Sequence, residues 1–272
     1  MNGRVYNTGE TEADLKKKYN YEGSTLRKTQ LRMLEMLAFL DKLCKQNNIT
    51  YFIAFGTLLG AVRHGGFIPW DDDLDVYINP KDLKRLRSII NRERYPYVVQ
   101  CHKIDRGFVR YYSVLRDLRS EYIRDQYQHK QRKYRGVQID LFPYQFGVLK
   151  FGQKLIGKTY GLNEKFFLGR SVFFTEVVFH FAEKCLIPLL KLISFSQGKD
   201  TIGLGYETGD SGFIYKTEDV FPLSTIQFEG ITVPCPRHPD QVLQADYGLD
   251  YMNLPEEKDR DHHKIVDIIF YD

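Results

Sequence analysis

Four aspartates stand within five positions of one otherwise apolar stretch, Asp71-Asp72-Asp73-Leu74-Asp75. If a strand runs from Asp73 to Ile78, Asp73 and Asp75 project from one face, and the apolar residues that alternate with them turn into a core. Two ionised carboxylates on one face repel each other, and a hard cation with oxygen ligands relieves that repulsion. The pattern therefore favours Mg²⁺ bound together with substrate phosphates over an exposed acidic turn.

A second feature precedes the aspartates. The sequence predicts a buried strand over 51–55, a tight turn at Gly56 and Thr57, and the start of a short helix over 58–62. The free backbone N–H groups and the dipole of a helix N-terminus attract a phosphate. Phosphoryl transfer needs a phosphate-binding site next to a metal ion that contacts the phosphate oxygens. Gly56 and Thr57 are therefore candidate substrate-binding residues.

A third acidic residue lies in a later apolar segment. Asp140 alternates with Ile139 and Leu141, in a predicted strand that is too apolar to tolerate an isolated carboxylate without a partner.

The string from Gly56 to His64 that continues over Phe67 to Asp75 closely resembles the LicD family, which includes relatives of fukutin-related protein. Asp140 matches the third acidic position of that family, and the segment from Asp246 to Arg260 and His262 is similar to it as well. The resemblance implies a nucleotidyltransferase fold. It also implies transfer of a phosphorylated alcohol, typically phosphocholine, from a CDP-activated donor to a glycan hydroxyl.

The resemblance and the chemistry together suggest roles for the candidate residues. Asp73 and Asp75 would hold Mg²⁺, or Mn²⁺ as the alternative, on the donor diphosphate. Asp140 would complete the metal sphere or accept the proton of the acceptor hydroxyl, and the sequence leaves open which, as well as whether one metal or two are bound.

Three further residues are candidates for binding the donor. Arg63 and Arg116 would contact its phosphates, although an ion pair between Arg116 and Asp117 is a competing interpretation. Trp70 would face the choline, since quaternary ammonium groups favour aromatic faces, or would pack between the turn and the strand.

The predicted fold is α/β (α+β), with a nucleotidyltransferase-like mixed sheet flanked by helices and an inserted helical subdomain. We expect a catalytic core over 1–145, a helical insertion on the acceptor side over 146–215, and a C-terminal segment over 216–272 that returns to the core. An amphipathic helix is predicted from Thr25 to Asn47, with Arg32 outside. Another begins at Asn79-Pro80, and strands are predicted over 97–102 and 109–115.

The run from Val172 to Leu190 is strongly apolar and predicts helix. Because Glu176, Glu183 and Lys184 interrupt it, a membrane span is not expected. It packs on itself, which the sequence favours, or lies at a membrane surface. The basic segment Gln128–Arg135 is interpreted as a charged loop, with a polyanionic acceptor or lipid headgroups as the alternative partner.

Composition limits the function classes. A length of 272 residues with 43% hydrophobic content suits a folded enzyme, and a net charge of +4 is too small to indicate nucleic acid. The four cysteines are far apart, which indicates neither a zinc site nor a disulfide framework. With no apolar leader visible, we expect a cytoplasmic protein, at most at the inner face of the membrane through peripheral contact.

The leading hypothesis is a metal-dependent transfer of phosphocholine from CDP-choline to a glycan precursor, with release of CMP. The precursor is that of a teichoic acid, lipopolysaccharide or capsule, and is expected to be lipid-linked. Alternatives are the same chemistry with CDP-ribitol, CDP-glycerol or another CDP-alcohol, and a nucleotidyltransferase that acts on a small molecule. A non-catalytic binding protein is the least favoured reading.

Overall fold

The computed structural model describes residues 4–123, 132–168, 170–209, 212–260 and 267–271. In these ranges a mixed β-sheet is flanked by helices, which confirms the predicted fold class. His262 and the first part of the basic segment, up to residue 131, lie outside the described residues.

Seven of the described strands form the main sheet. They are β1 (Tyr51–Ile53), β2 (Asp75–Ile78), β3 (Tyr97–Gln100), β4 (Ser113–Asp117), β6 (Gln138–Phe146), β7 (Thr201–Leu204) and β8 (Ile214–Lys216). The order is β1-β2-β6-β4-β3, and β7 pairs with the end of β6 and with β8. Strands β2 and β6 run parallel, whereas the other pairs are antiparallel. The long central strand β6 therefore connects the two parts of the sheet.

Two small sheets complete the β-structure of the described residues. Strand β5 (Ser120–Ile123) pairs with β11 (Asp267–Phe270), and β9 (Ser224–Phe228) pairs with β10 (Ile231–Cys235). The turn between β9 and β10 has positive φ at both Glu229 and Gly230, as a two-residue hairpin turn of this hand requires.

Helices precede, connect and follow the strands along the chain. Their bounds are α1 (Glu12–Tyr19), α2 (Thr25–Gln46), α3 (Phe55–His64), α4 (Pro80–Arg92), α5 (Lys150–Phe166), α6 (Val172–Phe181), a π-helical turn (Ala182–Leu186), α7 (Ile187–Phe195), α8 (Thr217–Val220) and α9 (Pro239–Tyr247). None of the helices in the described ranges combines the length and the apolarity needed to cross a bilayer.

Helix α2 shows how the apolar pattern builds the core. It spans the predicted residues, and the Ser24 hydroxyl accepts a hydrogen bond from the Arg27 backbone N–H at its start. Its buried face carries mainly apolar side chains. Arg32, which was expected on the outside, is buried on this face and pairs with the buried Asp117 at 3.4 Å. That expectation was wrong because a distant strand supplies the carboxylate.

The predicted start of α4 is confirmed. Asn79 is the N-cap, its side chain accepts from the Lys81 backbone N–H at 2.9 Å, and Pro80 occupies the first turn. Strand β3 begins at the predicted residue, and the other boundaries of β3 and β4 differ by two to four residues from those predicted. The loop between them is consequently longer than the predicted Asp105-Arg106-Gly107 turn.

Helices α5 to α7 occupy the segment 150–195, and β7 and β8 then join the edge of the main sheet. Five buried residues form a small separate core under these helices, namely Val148, Ile156, Ile187, Leu190 and Tyr206. The division of the chain at residues 145 and 215 stays a prediction.

Helix α3 approaches the loop that follows it very closely at Gly60. A methyl group at this position would lie 2.4 Å from the carbonyl oxygen of Gly66 and 3.1 Å from the backbone nitrogen of Ile68. The missing side chain therefore lets this loop, which leads to the aspartates, lie directly on the helix.

Replacing Gly60 by Ala should lower the free energy of unfolding by about 1–3 kcal/mol, because backbone atoms must move to admit the methyl group. The matched control is Gly161→Ala in α5, where a Cβ meets nothing within 4 Å. That change should raise the free energy of unfolding by about 0.5–1 kcal/mol, since alanine favours helix over glycine. Denaturant unfolding of both variants measures the difference, and changes of the same sign would contradict the close approach.

Candidate active site

The parallel pairing of β2 with β6 brings two of the predicted carboxylates together. Asp75 and Asp140 are register partners on these adjacent strands, and the Asp140 backbone N–H donates to the Leu74 carbonyl at 2.9 Å. Neighbouring strands lie about 4.8 Å apart, so side chains in register on one face are close. Asp73, Asp75 and Asp140 all line one cavity of about 400 Å³.

Asp73 reaches this cavity from a turn rather than from the predicted strand. Strand β2 begins at Asp75, two residues later than expected, because the Asp73 backbone N–H bonds to the Asp71 carboxylate at 3.3 Å. A side chain that bonds to the backbone two residues on is a turn-forming interaction. The expected burial of Leu74 is confirmed.

The cavity carries a concentration of negative charge. Burial raises the pKa of Asp75 well above its usual range, and the nearby carboxylates of Asp140, Asp73 and Asp71 raise it further. Among the described residues, Asp71, Asp72 and Asp73 each bring a carboxylate oxygen within 4.8 Å of the others. Carboxylate oxygens are the ligands of hard divalent cations, so this set fits Mg²⁺ or Mn²⁺.

Asp71 is one of the two clustered aspartates, with Asp72, to which the sequence assigned no role. Its Oδ2 would lie 2.9 Å from a Cβ at position 56, so Gly56 allows this carboxylate to approach the first turn of α3. Asp72 is buried, and its Oδ2 accepts a hydrogen bond from the Tyr122 hydroxyl at 3.1 Å. The four aspartates within five positions were the signal for Asp71. Only the structure shows that Asp71 approaches α3 whereas Asp72 bonds to Tyr122.

Thr57 fixes the backbone of Asp75. Its Oγ1 accepts a hydrogen bond from the Asp75 N–H at 2.8 Å, and the Ala54 N–H donates to the Asp75 carbonyl at 3.1 Å. Helix α3 begins at Phe55, so Gly56 and Thr57 lie in its first turn rather than in a separate turn. The strained position is Phe55, with φ of 46°, and its side chain lines the cavity.

Arg110 is a cation of the cavity that the sequence did not single out. It lies in the loop before β4, and its guanidinium carbon is 4.9 Å from the centroid of the Tyr160 ring. Burial opposes its charge, but Tyr160, Tyr112, Glu164 and Asp140 raise the pKa of Arg110 overall. A phosphate bound by a cation on the carboxylates could also accept hydrogen bonds from a guanidinium in the same cavity wall.

Other cavity residues were also absent from the sequence interpretation. The lining includes four aromatic side chains, those of Phe55, Tyr112, Phe142 and Phe213. Asp140 is oriented by Gln138, whose Nε2 donates to Asp140 Oδ1 at 2.6 Å. Alternation along β6 is a signal for Gln138, because residues 138 and 140 share a face.

Arg63 and Trp70 lie among the N-terminal and C-terminal segments. Arg63 is buried in the last turn of α3 and donates to the carbonyls of Tyr251 and Asn253 at 3.1 and 3.0 Å. Burial lowers the pKa of Arg63 to about 10. The guanidinium carbon of Arg260 lies 4.9 Å from the centroid of the Trp70 ring, so a cationic side chain of this chain already contacts that ring. Neither residue lines the cavity of the aspartates.

Arg116 is buried in β4 and holds neighbouring segments together. Its Nε donates to Gln100 Oε1 at 2.7 Å, and its Nη1 donates to the Gly136 carbonyl at 2.8 Å. The competing interpretation, an ion pair with Asp117, is wrong, because successive strand residues face opposite ways. Asp117 pairs with Arg32 and Arg119 on the other face.

Parts of this chain are similar to known proteins. The family described as LicD/FKTN/FKRP, nucleotidyltransferase domain, matches residues 48–197, which is more than half of the chain. The lipopolysaccharide cholinephosphotransferase LicD of Haemophilus influenzae is 42% identical over 73 residues, which are 27% of this chain and 28% of that protein. An uncharacterised protein of Rickettsia prowazekii, RP689, is 41% identical over 88 residues, 32% of each chain.

A mammalian protein is also similar. The ribitol 5-phosphate transferase FKRP of Mus musculus is 30% identical over 127 residues, 46% of this chain and 23% of that protein. The matches thus span between 23 and 32% of the length of these three relatives.

The role of Thr57 can be tested by two substitutions of similar size. Thr57→Val keeps the shape but leaves the buried Asp75 N–H without its acceptor, so the free energy of unfolding should fall by about 1–3 kcal/mol. Thr57→Ser keeps the hydroxyl and should retain most of that stability. Denaturant unfolding compares the two, and equal losses would show that the hydrogen bond does not stabilise the site.

Proposed function

We propose, from the premise that this chain belongs to the LicD/FKTN/FKRP family, that it is a metal-dependent phosphotransferase acting on a glycan. It moves a phosphorylated alcohol from a CDP-activated donor to a glycan hydroxyl and releases CMP. The observation that carries the proposal is the single cavity lined by Asp73, Asp75, Asp140 and Arg110. It brings together three carboxylates that would hold a divalent cation and a guanidinium that would bind a phosphate.

The favoured donor is CDP-choline. Relatives named for cholinephosphate and for ribitol 5-phosphate transfer support both CDP-choline and CDP-ribitol, and CDP-glycerol remains an alternative of the same chemistry. The aromatic lining supports choline, because quaternary ammonium groups bind aromatic faces. The cavity supplies Phe55, Tyr112, Phe142 and Phe213 for this purpose, whereas a polyol would need hydrogen-bonding groups in their place.

The proposed acceptor is a hydroxyl of a cell-surface glycan precursor, of a lipopolysaccharide, teichoic acid or capsule. The name of the Haemophilus relative supports the first of these. An acceptor oxygen attacks the phosphorus that carries the alcohol, the bond from that phosphorus to the CMP oxygen breaks, and the hydroxyl proton leaves to a base.

Each cavity residue has a task in this scheme. Asp73 and Asp75, with Asp71 beside them, would hold Mg²⁺, which when bound neutralises the diphosphate charge and stabilises the leaving CMP. Arg110 binds a donor phosphate. Asp140, oriented by Gln138, accepts the hydroxyl proton or joins the metal ligands. The surrounding aromatic side chains exclude water from the transferred group.

A nucleotidyltransferase acting on a small molecule would use the same carboxylates. The relatives named as phosphotransferases favour transfer of the alcohol phosphate instead. The products separate the two, because nucleotidyl transfer from CTP releases pyrophosphate and alcohol phosphate transfer from a CDP-alcohol releases CMP.

The first test is CMP release by the purified chain from CDP-choline, CDP-ribitol and CDP-glycerol, with and without Mg²⁺. We expect slow, Mg²⁺-dependent release from CDP-choline, with water replacing the glycan. Asp73→Asn should lower that rate by at least about a hundredfold while the circular dichroism spectrum is unchanged.

The matched control is Asp250→Asn, the same substitution at an exposed position outside the cavity, which should keep the wild-type rate. A full rate for Asp73→Asn would refute the metal assignment. Binding of all three donors without turnover, even when glycolipid extracts are added, would favour the non-catalytic reading. Preference for CDP-ribitol would retain the mechanism and change the alcohol.

Arg110 gives a second test, directed at donor binding. Arg110→Gln should raise KM for the preferred donor by about 10- to 100-fold, since a hydrogen bond to a charged group contributes about 1.5–3 kcal/mol. Arg110→Lys should lose less, because the charge remains and only the planar fork is lost. Arg106→Gln, an exposed arginine of the same loop, is the control. An unchanged KM in Arg110→Gln would remove Arg110 from the donor site.

A further inference from the structure

Helices α5, α6 and α7 present large apolar side chains to the outside. Phe151, Phe173, Leu192 and Phe195 are between 70 and 83% exposed. Eight more large apolar side chains between residues 162 and 193 are also exposed, namely Leu162, Phe166, Val172, Phe174, Val177, Phe181, Leu189 and Ile193. Isolated exposed apolar residues are common, but this number on three consecutive helices is typical of an interaction surface.

These side chains lie on the faces opposite to the packed ones. On α6, Thr175 and Phe179 are buried, while Phe173 and Val177 point to the other side at helical spacing. The same holds on α5 and α7, whose buried residues alternate with exposed apolar ones. A helix that is apolar on both faces requires a second apolar environment beyond its own protein core.

The charge of the same segment indicates the nature of that environment. Residues 150–199 contain eight lysines and arginines and three glutamates, a surplus of five positive charges, whereas the complete chain has a net charge of +4. On α5, Lys154, Lys158 and Lys165 are exposed and fall on the same side as Phe151 and Leu162 at 100° per residue. Apolar and cationic side chains thus share the outer face.

A cavity of about 450 Å³ beside α7 has the same combination. Its walls include the aromatic rings of Tyr144, Phe146 and Phe195. Three lysines also line it, Lys81, Lys191 and Lys199, of which Lys191 pairs with Glu207. An apolar cavity with two further ammonium groups suits the acyl chain and anionic headgroup of a lipid better than it suits a flat protein surface.

We propose that the outer faces of α5, α6 and α7 bind the surface of an anionic lipid bilayer. The aromatic and aliphatic side chains enter the boundary between headgroups and acyl chains, and the lysines extend to the anionic headgroups. A second copy of the chain is the less suitable occupant. In a two-fold dimer the face meets itself, so the positive charges of one copy would oppose those of the other.

This orientation has a consequence that rests on the proposed function, whereas bilayer binding itself does not. Tyr160 of α5 and Phe179 of α6 contact the loop of Arg110, through the Arg110 guanidinium and the ring of Tyr111. The thickness of one helix, about 10 Å, would therefore separate the bilayer surface from the cavity wall. A lipid-linked glycan would need only its first sugars to reach the aspartates.

The test is flotation of the full chain with vesicles of phosphatidylcholine, with and without phosphatidylglycerol. We expect binding to the anionic vesicles that is at least about tenfold stronger than to neutral ones and that weakens with salt. Replacing Phe173 and Leu192 together by Ser should weaken binding by at least about tenfold, because two large side chains no longer leave water.

The matched control is Leu249→Ser, at a leucine that is 83% exposed outside these helices. It should bind vesicles like the wild type. Because all three positions are exposed, thermal unfolding by circular dichroism should be unchanged, which separates lost binding from lost folding. Lys154→Gln together with Lys158→Gln should reduce binding to anionic vesicles and leave binding to neutral ones unaltered.

Three results would overturn the proposal. The first is no flotation with anionic vesicles, and the second is equal flotation of the Phe173→Ser/Leu192→Ser variant. The third is a stable dimer in light scattering that this variant dissociates while vesicle binding is absent, which would assign the face to a second copy. None of these results depends on turnover, so they leave the test of the phosphotransferase separate.

Discussion

The parallel pairing of β2 with β6 is the constraint on which the site depends. It fixes Asp75 beside Asp140 at a spacing that two ionised carboxylates do not choose without a counter-charge. The surrounding elements keep this register. Thr57 bonds to the Asp75 backbone, Gln138 orients Asp140, and the close contact at Gly60 holds the loop that leads to the aspartates. Strain at Phe55 is part of the same arrangement.

The repulsion among the aspartates has a physical interpretation. Burial and three neighbouring carboxylates all raise the pKa of Asp75, so part of the folding free energy is spent on concentrating negative charge. Such an arrangement is suited to bind a cation, because binding removes the repulsion and adds to stability. A buried arginine in place of the cation would neutralise the charge permanently, as Arg32 does for the buried Asp117 elsewhere in this chain.

The sequence predicted the parts of this site that local patterns encode. The acidic residues set among apolar ones singled out Asp73, Asp75 and Asp140, which line one cavity although Asp73 lies in a turn before the strand, and the cap at Asn79 placed α4 correctly. Local patterns do not show which residues that are distant in the sequence lie together in the fold. Arg110 lies in a loop without periodicity, and its place in the cavity depends on how α5 packs against that loop. For the same reason the sequence did not show that Arg63 and Trp70, adjacent to the motif, contact residues of the C-terminal segment.

Strand β6 contributes side chains to two cavities whose linings differ in charge. Asp140 lies near the start of the strand, and Tyr144, which lines the cavity with three lysines, lies four residues on. At about 3.3 Å per residue the two positions are about 13 Å apart along the strand. Residues 140 and 144 therefore open onto two separate cavities, one lined by carboxylates and Arg110 and the other by lysines and aromatic rings. The long central strand in this way joins the proposed site of phosphate transfer to the proposed lipid-binding surface, and each takes its charge from its own lining side chains.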